Sequence, residues 1–256
     1  MKLKDVLDDI KKIEREINSS SVYICGGAAR DRYMRNLNKI DDLDLTTGDK
    51  TIDLLSIKAY EFFEQKYKVH RKKMTDGHST IFLGNLKIDF SSNYNAPNID
   101  KILVSMGIKP NNIKKEAFSR DFTCNSLLMD FNLTTLMDPT NKGFNDIKNK
   151  IIKCSISPEI SFLNNKRIIR SVYLACKLGF DVDEAIIAYV RNNPILLETP
   201  SINPNFVSEK MNRAFIFDAD KASYLITRMN LWNSIPITEN IYPHYLKHLK
   251  ASDVKK

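Results

Sequence analysis

The feature that most constrains this chain is a glycine pair between a short apolar run and a helix-like segment, with two aspartates close behind it. Gly26 and Gly27 follow the run that ends at Cys25, and Asp42 and Asp44 come next in the pattern Asp-Leu-Asp. Glycine lets a backbone approach phosphates closely, and residues two apart on a strand point to the same face. The pattern therefore predicts a sheet edge that holds a triphosphate and a divalent metal ion.

A third carboxylate, Asp89, lies in a predicted strand at 86–90, after a hairpin signal at Gly84-Asn85. Phosphoryl and nucleotidyl transfer rely on metal ions that neutralise charge on the attacking and leaving oxygens. Mg²⁺ prefers carboxylate and phosphate oxygens, so we expect Asp42 and Asp44 to bind it and Asp89 to complete the set. The alternative is that Asp42 and Asp44 only cap a turn or pair with a lysine, which is the usual role of an isolated Asp-x-Asp pattern.

The composition allows a folded core and favours a polyanionic partner. Hydrophobic residues make up 43% of the 256 residues, and the net charge is +8, although solvated lysines would explain the same excess. No apolar run approaches the roughly 20 residues of a membrane span, and the first residues lack the apolar stretch of a secretory signal, so we expect no membrane partner. Four scattered cysteines without a Cys-x-x-Cys pair favour a reducing cytoplasm.

Periodicity predicts two regions of different architecture. Apolar residues at helical spacing predict a helix from Leu3 to Ile17, and short strands alternate with helices through the first 150 residues. After about residue 155 the strand signals disappear. We therefore predict an α+β fold, with a small mixed sheet and flanking helices in residues 1–150, and an all-helical region in residues 151–256.

Four blocks in the chain resemble class II tRNA nucleotidyltransferases (CCA-adding enzymes) and bacterial poly(A) polymerases. The first, 22–47, is similar to a GGxVRD motif followed by a spacer, D-x-D and threonine. The second, 120–127, is similar to RRDFTxNAL. The third, 137–148, is similar to DP…G…DLK, and the fourth, 167–172, to R-x-L-R-A-V. The resemblance covers residues 21 to 180 and implies a nucleotidyltransferase-type head at 1–150, with a helical neck and shortened body at 151–256.

The resemblance implies template-independent addition of C and/or A to the 3′ end of tRNA or tRNA-like RNA, with CTP, ATP and Mg²⁺ as partners. It implies that Asp42 and Asp44 hold the metal and that Asp89 helps to activate the attacking 3′-hydroxyl. It assigns nucleotide binding to seven residues. These are Gly26, Gly27, Arg30, Arg120, Asn164, Arg167 and Arg170. The last three have the spacing of one helix side, and the planar donor fork of arginine suits base edges and phosphates.

Three positions depart from the family pattern: Asn164 replaces an aspartate, Tyr173 an arginine, and Ser119 the first arginine of RRDF. Asparagine can donate as well as accept, whereas aspartate only accepts, so we expect weaker discrimination among nucleotides. Three other functions stay open. They are adenylation of other RNA by a poly(A) polymerase-like activity, RNA binding or regulation by a catalytically retired protein, and nucleotidylation of a protein or small molecule.

Overall fold

The protein is described by a computed structural model that covers residues 2–36, 40–73, 79–94, 96–193, 203–232 and 235, with the backbone alone at 71–73. The chain divides into two compact units, Met1–Asn145 and Asp146–Lys256. This division lies close to the boundary predicted at residue 150. Parts of the predicted second region, 194–202, 233–234 and 236–256, lie outside the described residues.

The first unit contains a mixed sheet with flanking helices, as predicted. Its helices are α1 (Leu3–Glu16), α2 (Gly27–Tyr33), α3 (Thr51–Lys66), α4 (Ile99–Ser105) and α5 (Asn112–Phe118). Its strands are β1 (Tyr23–Cys25), β2 (Asp42–Thr46), β3 (Val69–Lys73), β4 (Ser79–Leu83), β5 (Leu86–Phe90), β6 (Leu128–Met129) and β7 (Leu136–Met137). They form one sheet in the order β3-β4-β5-β2-β1-β6-β7. Neighbouring strands are antiparallel except β2 and β5, which are parallel.

The central strands separate an apolar face of the sheet from a charged one. Leu43 and Leu45 on β2, and Ile88 and Phe90 on β5, are fully buried. Because successive side chains on a strand point to opposite faces, the charged residues between them share the other face. These residues are Asp42, Asp44, Lys87 and Asp89. The sheet thus buries its core on one side and gathers carboxylates on the other.

Helix α1 confirms the predicted apolar periodicity. Val6, Leu7, Ile10 and Ile13 are its buried residues, and this apolar side packs against α3. Beyond the apolar contact, Lys66 Nζ at the end of α3 lies 2.7 Å from a carboxylate oxygen of α1.

The second unit is mainly helical. Its helices are α7 (Pro158–Ser161), α8 (Lys166–Leu178), α9 (Glu184–Asn192), α10 (Pro204–Phe217) and α11 (Ala219–Arg228), while α6 (Gly143–Lys148) crosses the division between the units. One detail differs from the all-helical expectation: β8 (Ile151–Ile152) and β9 (Asp181–Val182) form a short parallel ladder. Two residues are too few for an alternating pattern, so the sequence carries no signal for it. No described helix is long and apolar enough to cross a membrane.

Candidate functional site

Three carboxylates meet on the charged face of the sheet in the first unit. The parallel register of β2 and β5 sets Asp44 beside Asp89 and Asp42 beside Lys87. One carboxylate oxygen from each of the three aspartates lies within 4.8 Å of the other two. Asp42 is exposed, whereas Asp44 and Asp89 are half-buried. The structure therefore brings together the three residues predicted from the sequence, in a set of anionic oxygens that suits a hard divalent cation.

Two neighbouring side chains hold Asp89 in place. Thr80 Oγ1 donates a hydrogen bond to Asp89 Oδ1 at 2.5 Å, and Lys87 Nζ donates to Asp89 Oδ2. Partial burial would lower the pKa of Lys87, but its hydrogen bond and attraction to Asp89 outweigh burial and raise that pKa. The ammonium group thus stays charged inside the cluster. The sequence patterns singled out neither Thr80 nor Lys87.

The glycine turn lies directly against Asp44. Cys25 at the end of β1 pairs with Asp44, and Gly26 follows with φ 67° and ψ −133°, a conformation that L side chains rarely adopt. A Cβ atom at Gly26 would lie 2.5 Å from Asp44 Oδ2. Position 26 therefore needs a glycine, because a side chain would collide with this carboxylate. This requirement adds to the phosphate contact expected from the sequence.

Arg120 reaches the same place from the second sequence block. Its Nη2 donates to Cys25 Sγ and to Glu116 Oε1, each at 2.7 Å, and its buried Nε has no hydrogen-bond partner among the described residues. The Cys25 thiol in turn lies 3.2 Å from the backbone oxygen of Asp44. Burial raises the pKa of Asp44, and the nearby Arg120 guanidinium opposes that rise. The predicted residues Arg120 and Asp44 are thus electrostatically coupled.

Glu116 anchors Arg120 and was not predicted from the sequence. Its side chain is fully buried, and it accepts hydrogen bonds from the backbone and side-chain nitrogens of Asn93 as well as from Arg120. A buried carboxylate is tolerated when it is paired and hydrogen-bonded in this way. Glu116 therefore fixes the guanidinium beside the carboxylate cluster.

Glu116→Gln is expected to lower the free energy of unfolding by about 1.5–3 kcal/mol, because it removes the charge from a buried hydrogen-bonded pair. Urea unfolding followed by circular dichroism measures this change. The matched control is Glu61→Gln, which removes the charge from an exposed pair with Lys58 and should change stability little. Equal effects of the two substitutions would contradict the role assigned to Glu116.

Arg30 is almost fully buried, and its guanidinium group contacts two protein side chains. It is 2% exposed; its Nε and Nη2 contact Asp31 Oδ1 at 2.8 and 2.7 Å, and its Nη1 donates to Asn125 Oδ1 at 2.6 Å. Asn125 belongs to the second sequence block and donates to Asp121. These contacts tie α2 to that block. Direct binding of a nucleotide by Arg30 and Gly27 stays a prediction.

The other predicted nucleotide-binding residues lie in the second unit. Arg167 and Arg170 are on α8, and Arg167 Nη1 contacts the backbone and hydroxyl oxygens of Ser161 at 3.4 and 3.3 Å. Asn164 corrects one expectation: it is not on this helix, which begins at Lys166. Its backbone oxygen accepts from Arg167 N at 3.0 Å, and its side chain is exposed. Asn165, and not Asn164, directly precedes the helix.

Tyr173, which replaces an arginine of the family pattern, is nearly buried on α8. Lys210 Nζ and the Arg213 guanidinium carbon each lie 5.3 Å from its ring centre. Cations over an aromatic face are attracted to it. Two basic side chains of α10 thus lie near the ring of Tyr173, although position 173 itself carries no arginine.

Residues 22–153, about half of the chain, match the family model of the poly A polymerase head domain. The chain belongs to this head-domain family. Among curated relatives, the tRNA nucleotidyltransferase cca2 of Schizosaccharomyces pombe is 27% identical over 206 residues, which are 74% of this chain and 42% of the relative. The CCA-adding enzyme of Staphylococcus saprophyticus is 26% identical over 233 residues, 84% of this chain and 56% of the relative. The chain spans about half the length of these two relatives.

Solved structures share the fold of this head-domain protein. The Thermotoga maritima CCA-adding enzyme complexed with tRNA has a TM-score of 0.67 and 19% identity, and the match covers 90% of this chain and 51% of that one. A tRNA-processing enzyme with CTP has a TM-score of 0.66 and 21% identity, covering 88% of this chain and 57% of that one. At these identities the likeness shows the fold.

Proposed function

We propose that this chain is a template-independent nucleotidyltransferase that adds C and/or A to the 3′ end of tRNA or tRNA-like RNA. The observation that carries the proposal is the cluster of Asp42, Asp44 and Asp89 beside the Gly26 turn, within the region that matches the head-domain family. The substrate class is taken from relatives named tRNA nucleotidyltransferase, CCA-adding enzyme and A-adding tRNA nucleotidyltransferase. The expected place of action is the cytoplasm.

Asp42 and Asp44 are the residues that would hold Mg²⁺, because they supply hard oxygen donors on one strand face. When bound there, the metal supplies charge neutralisation for the attacking and leaving oxygens. Gly26 leaves room for Asp44, and Arg120 lies beside it for contact with the incoming nucleotide. The first unit would thus act as the catalytic head, and the second as a neck that carries the base-reading residues.

The reaction forms one phosphorus–oxygen bond and breaks another. The 3′-hydroxyl oxygen of the RNA attacks the α-phosphorus of the nucleotide, the bond to the bridging oxygen breaks, and pyrophosphate leaves. Asp89, held in orientation by Thr80, is assigned to accept the proton that the attacking hydroxyl loses. Arg167 and Arg170 are assigned to the base edge and phosphates, and the exposed Asn164 to the base edge.

Incubation with trimmed tRNA and each nucleoside triphosphate separately, followed by 3′-end sequencing, tests this function. Addition of C or A to the tRNA end supports the proposal. Long runs of A on unrelated RNAs would favour the poly(A) polymerase-like alternative. RNA binding without incorporation would favour a catalytically retired RNA-binding protein. Attachment of the nucleotide to a protein or a small molecule would show that the acceptor is not RNA.

Asn164→Asp is expected to sharpen selection of CTP and ATP over UTP and GTP by several-fold to about a hundredfold. Aspartate is a pure acceptor and favours bases with an exocyclic amino group, whereas asparagine presents either an acceptor or a donor. The measurement is kcat/KM for each nucleotide on trimmed tRNA. Asn205→Asp, at another exposed asparagine, is the matched control and should leave selection unchanged. If Asn164→Asp changes nothing, Asn164 does not read the base.

A further inference from the structure

Lys87 places a positive charge among the three carboxylates of the cluster. The strand register sets it beside Asp42, and it precedes Asp89 by two residues on the same face of β5. Its Nζ donates to Asp42 Oδ1 at 3.3 Å and to Asp89 Oδ2. The ammonium group therefore bridges two carboxylates that belong to neighbouring strands.

The bridge also engages a carboxylate of the proposed metal site, that of Asp42. Asp89 is engaged on both sides, because Oδ1 accepts from Thr80 and Oδ2 accepts from Lys87. Asp42 is otherwise exposed, and Lys87 engages its Oδ1. A divalent ion that takes Asp42 as a ligand must therefore bind close to this ammonium group, which repels it.

The same ammonium group stabilises the cluster before any ion is bound. Carboxylates within 4.8 Å of one another repel when all are ionised. Lys87 offsets that repulsion by direct contact with two of the three. Its side chain is 37% exposed, and it is a compact charge on a flexible four-carbon stem, so it can turn toward solvent without disturbing the strand.

We propose that Lys87 is a positioning residue that acts as a built-in counter-cation: it holds Asp42 and Asp89 together in the free protein and competes with the divalent metal for Asp42. This inference rests on the metal site of the proposed function. Its consequence is that the free protein binds a divalent ion more weakly than its three carboxylates alone would.

Lys87→Met tests the competition, since methionine keeps an unbranched stem and removes the charge. The probe is Mn²⁺ without nucleotide, with the free ion counted by its electron paramagnetic resonance signal. We expect Lys87→Met to bind Mn²⁺ about tenfold more tightly than the unmodified chain, because a cation within a few ångströms is gone. Lys87→Arg keeps the charge and should bind nearly as weakly as the unmodified chain. Lys58→Met removes an exposed charge on α3 and should change nothing.

Thermal unfolding in a chelator gives a second readout. Lys87→Met should melt at a lower temperature than the unmodified chain. Saturating Mn²⁺ should raise the melting temperature of Lys87→Met by more than it raises that of the unmodified chain, because tighter binding to the folded state stabilises it more. Lys87→Gln provides the same test if the methionine variant folds poorly. Equal melting temperatures and equal Mn²⁺ shifts would overturn the inference.

Asp44→Asn separates failure of this inference from failure of the proposed function. If Asp44→Asn loses Mn²⁺ binding while Lys87→Met binds no more tightly than the unmodified chain, the metal site stands and the role of Lys87 is overturned. If Asp44→Asn binds Mn²⁺ as well as the unmodified chain, the metal site is wrong and the inference falls with it.

Discussion

Alanine at Asp42 or Asp44 is expected to abolish nucleotide incorporation while the fold stays intact. Both carboxylates lie on the charged face of β2 and not in the core, so their removal leaves the buried Leu43 and Leu45 in place. Removal of one group that stabilises transition-state charge typically costs about 10²–10³ in rate, and loss of a metal ligand should cost at least as much. Single-turnover incorporation on trimmed tRNA measures the effect, and circular dichroism checks the fold.

Asp53→Ala is the matched control, because Asp53 is an exposed aspartate in the first turn of α3. This variant should incorporate nucleotide at the rate of the unmodified chain. Near-normal incorporation by the double variant Asp42→Ala, Asp44→Ala would end the hypothesis that these residues bind a catalytic metal, whatever the single variants do.

The carboxylate cluster could be predicted because it depends on short-range periodicity. Asp42 and Asp44 are two residues apart with a buried leucine between them, and this alternation sets both on one strand face. Asp89 follows a hairpin and alternates with Ile88 and Phe90 in the same way. The alternation does not predict that β2 pairs with β5. That pairing is parallel, and only one register of it sets Asp44 beside Asp89.

The residues that support the cluster could not be predicted because they depend on contacts between distant segments. Lys87 and Glu116 have the sequence context of ordinary surface charges, and only the packed sheet shows that one bridges two aspartates and the other is fully buried. Asn125, which accepts a hydrogen bond from Arg30, does lie in the second sequence block, and its place in that block marks it as a candidate site residue. Asn164 was assigned to a helix because spacing alone does not mark where α8 begins.

The Gly26 turn offers a test of how closely the fold and the site depend on each other. Its backbone adopts φ 67° and ψ −133°, which an L side chain rarely does, and a Cβ atom there would meet Asp44 Oδ2 at 2.5 Å. At Gly107 the φ is also positive, at 73°, but a Cβ atom would meet nothing within 4 Å. A side chain would thus strain the backbone at either position, and only at Gly26 would it also collide with a carboxylate of the cluster.

Gly26→Ala is therefore expected to lower kcat/KM for nucleotide incorporation by at least about a hundredfold, because Asp44 must move and a misplaced charged group forfeits its contribution in the transition state. Mn²⁺ affinity should fall with it, since Asp44 is one of the proposed ligands. Gly107→Ala should cost stability through its positive φ, on the order of 1–2 kcal/mol, and keep incorporation and Mn²⁺ affinity. Gly26→Ala with normal Mn²⁺ affinity and normal incorporation would show that the glycine turn does not govern the position of Asp44.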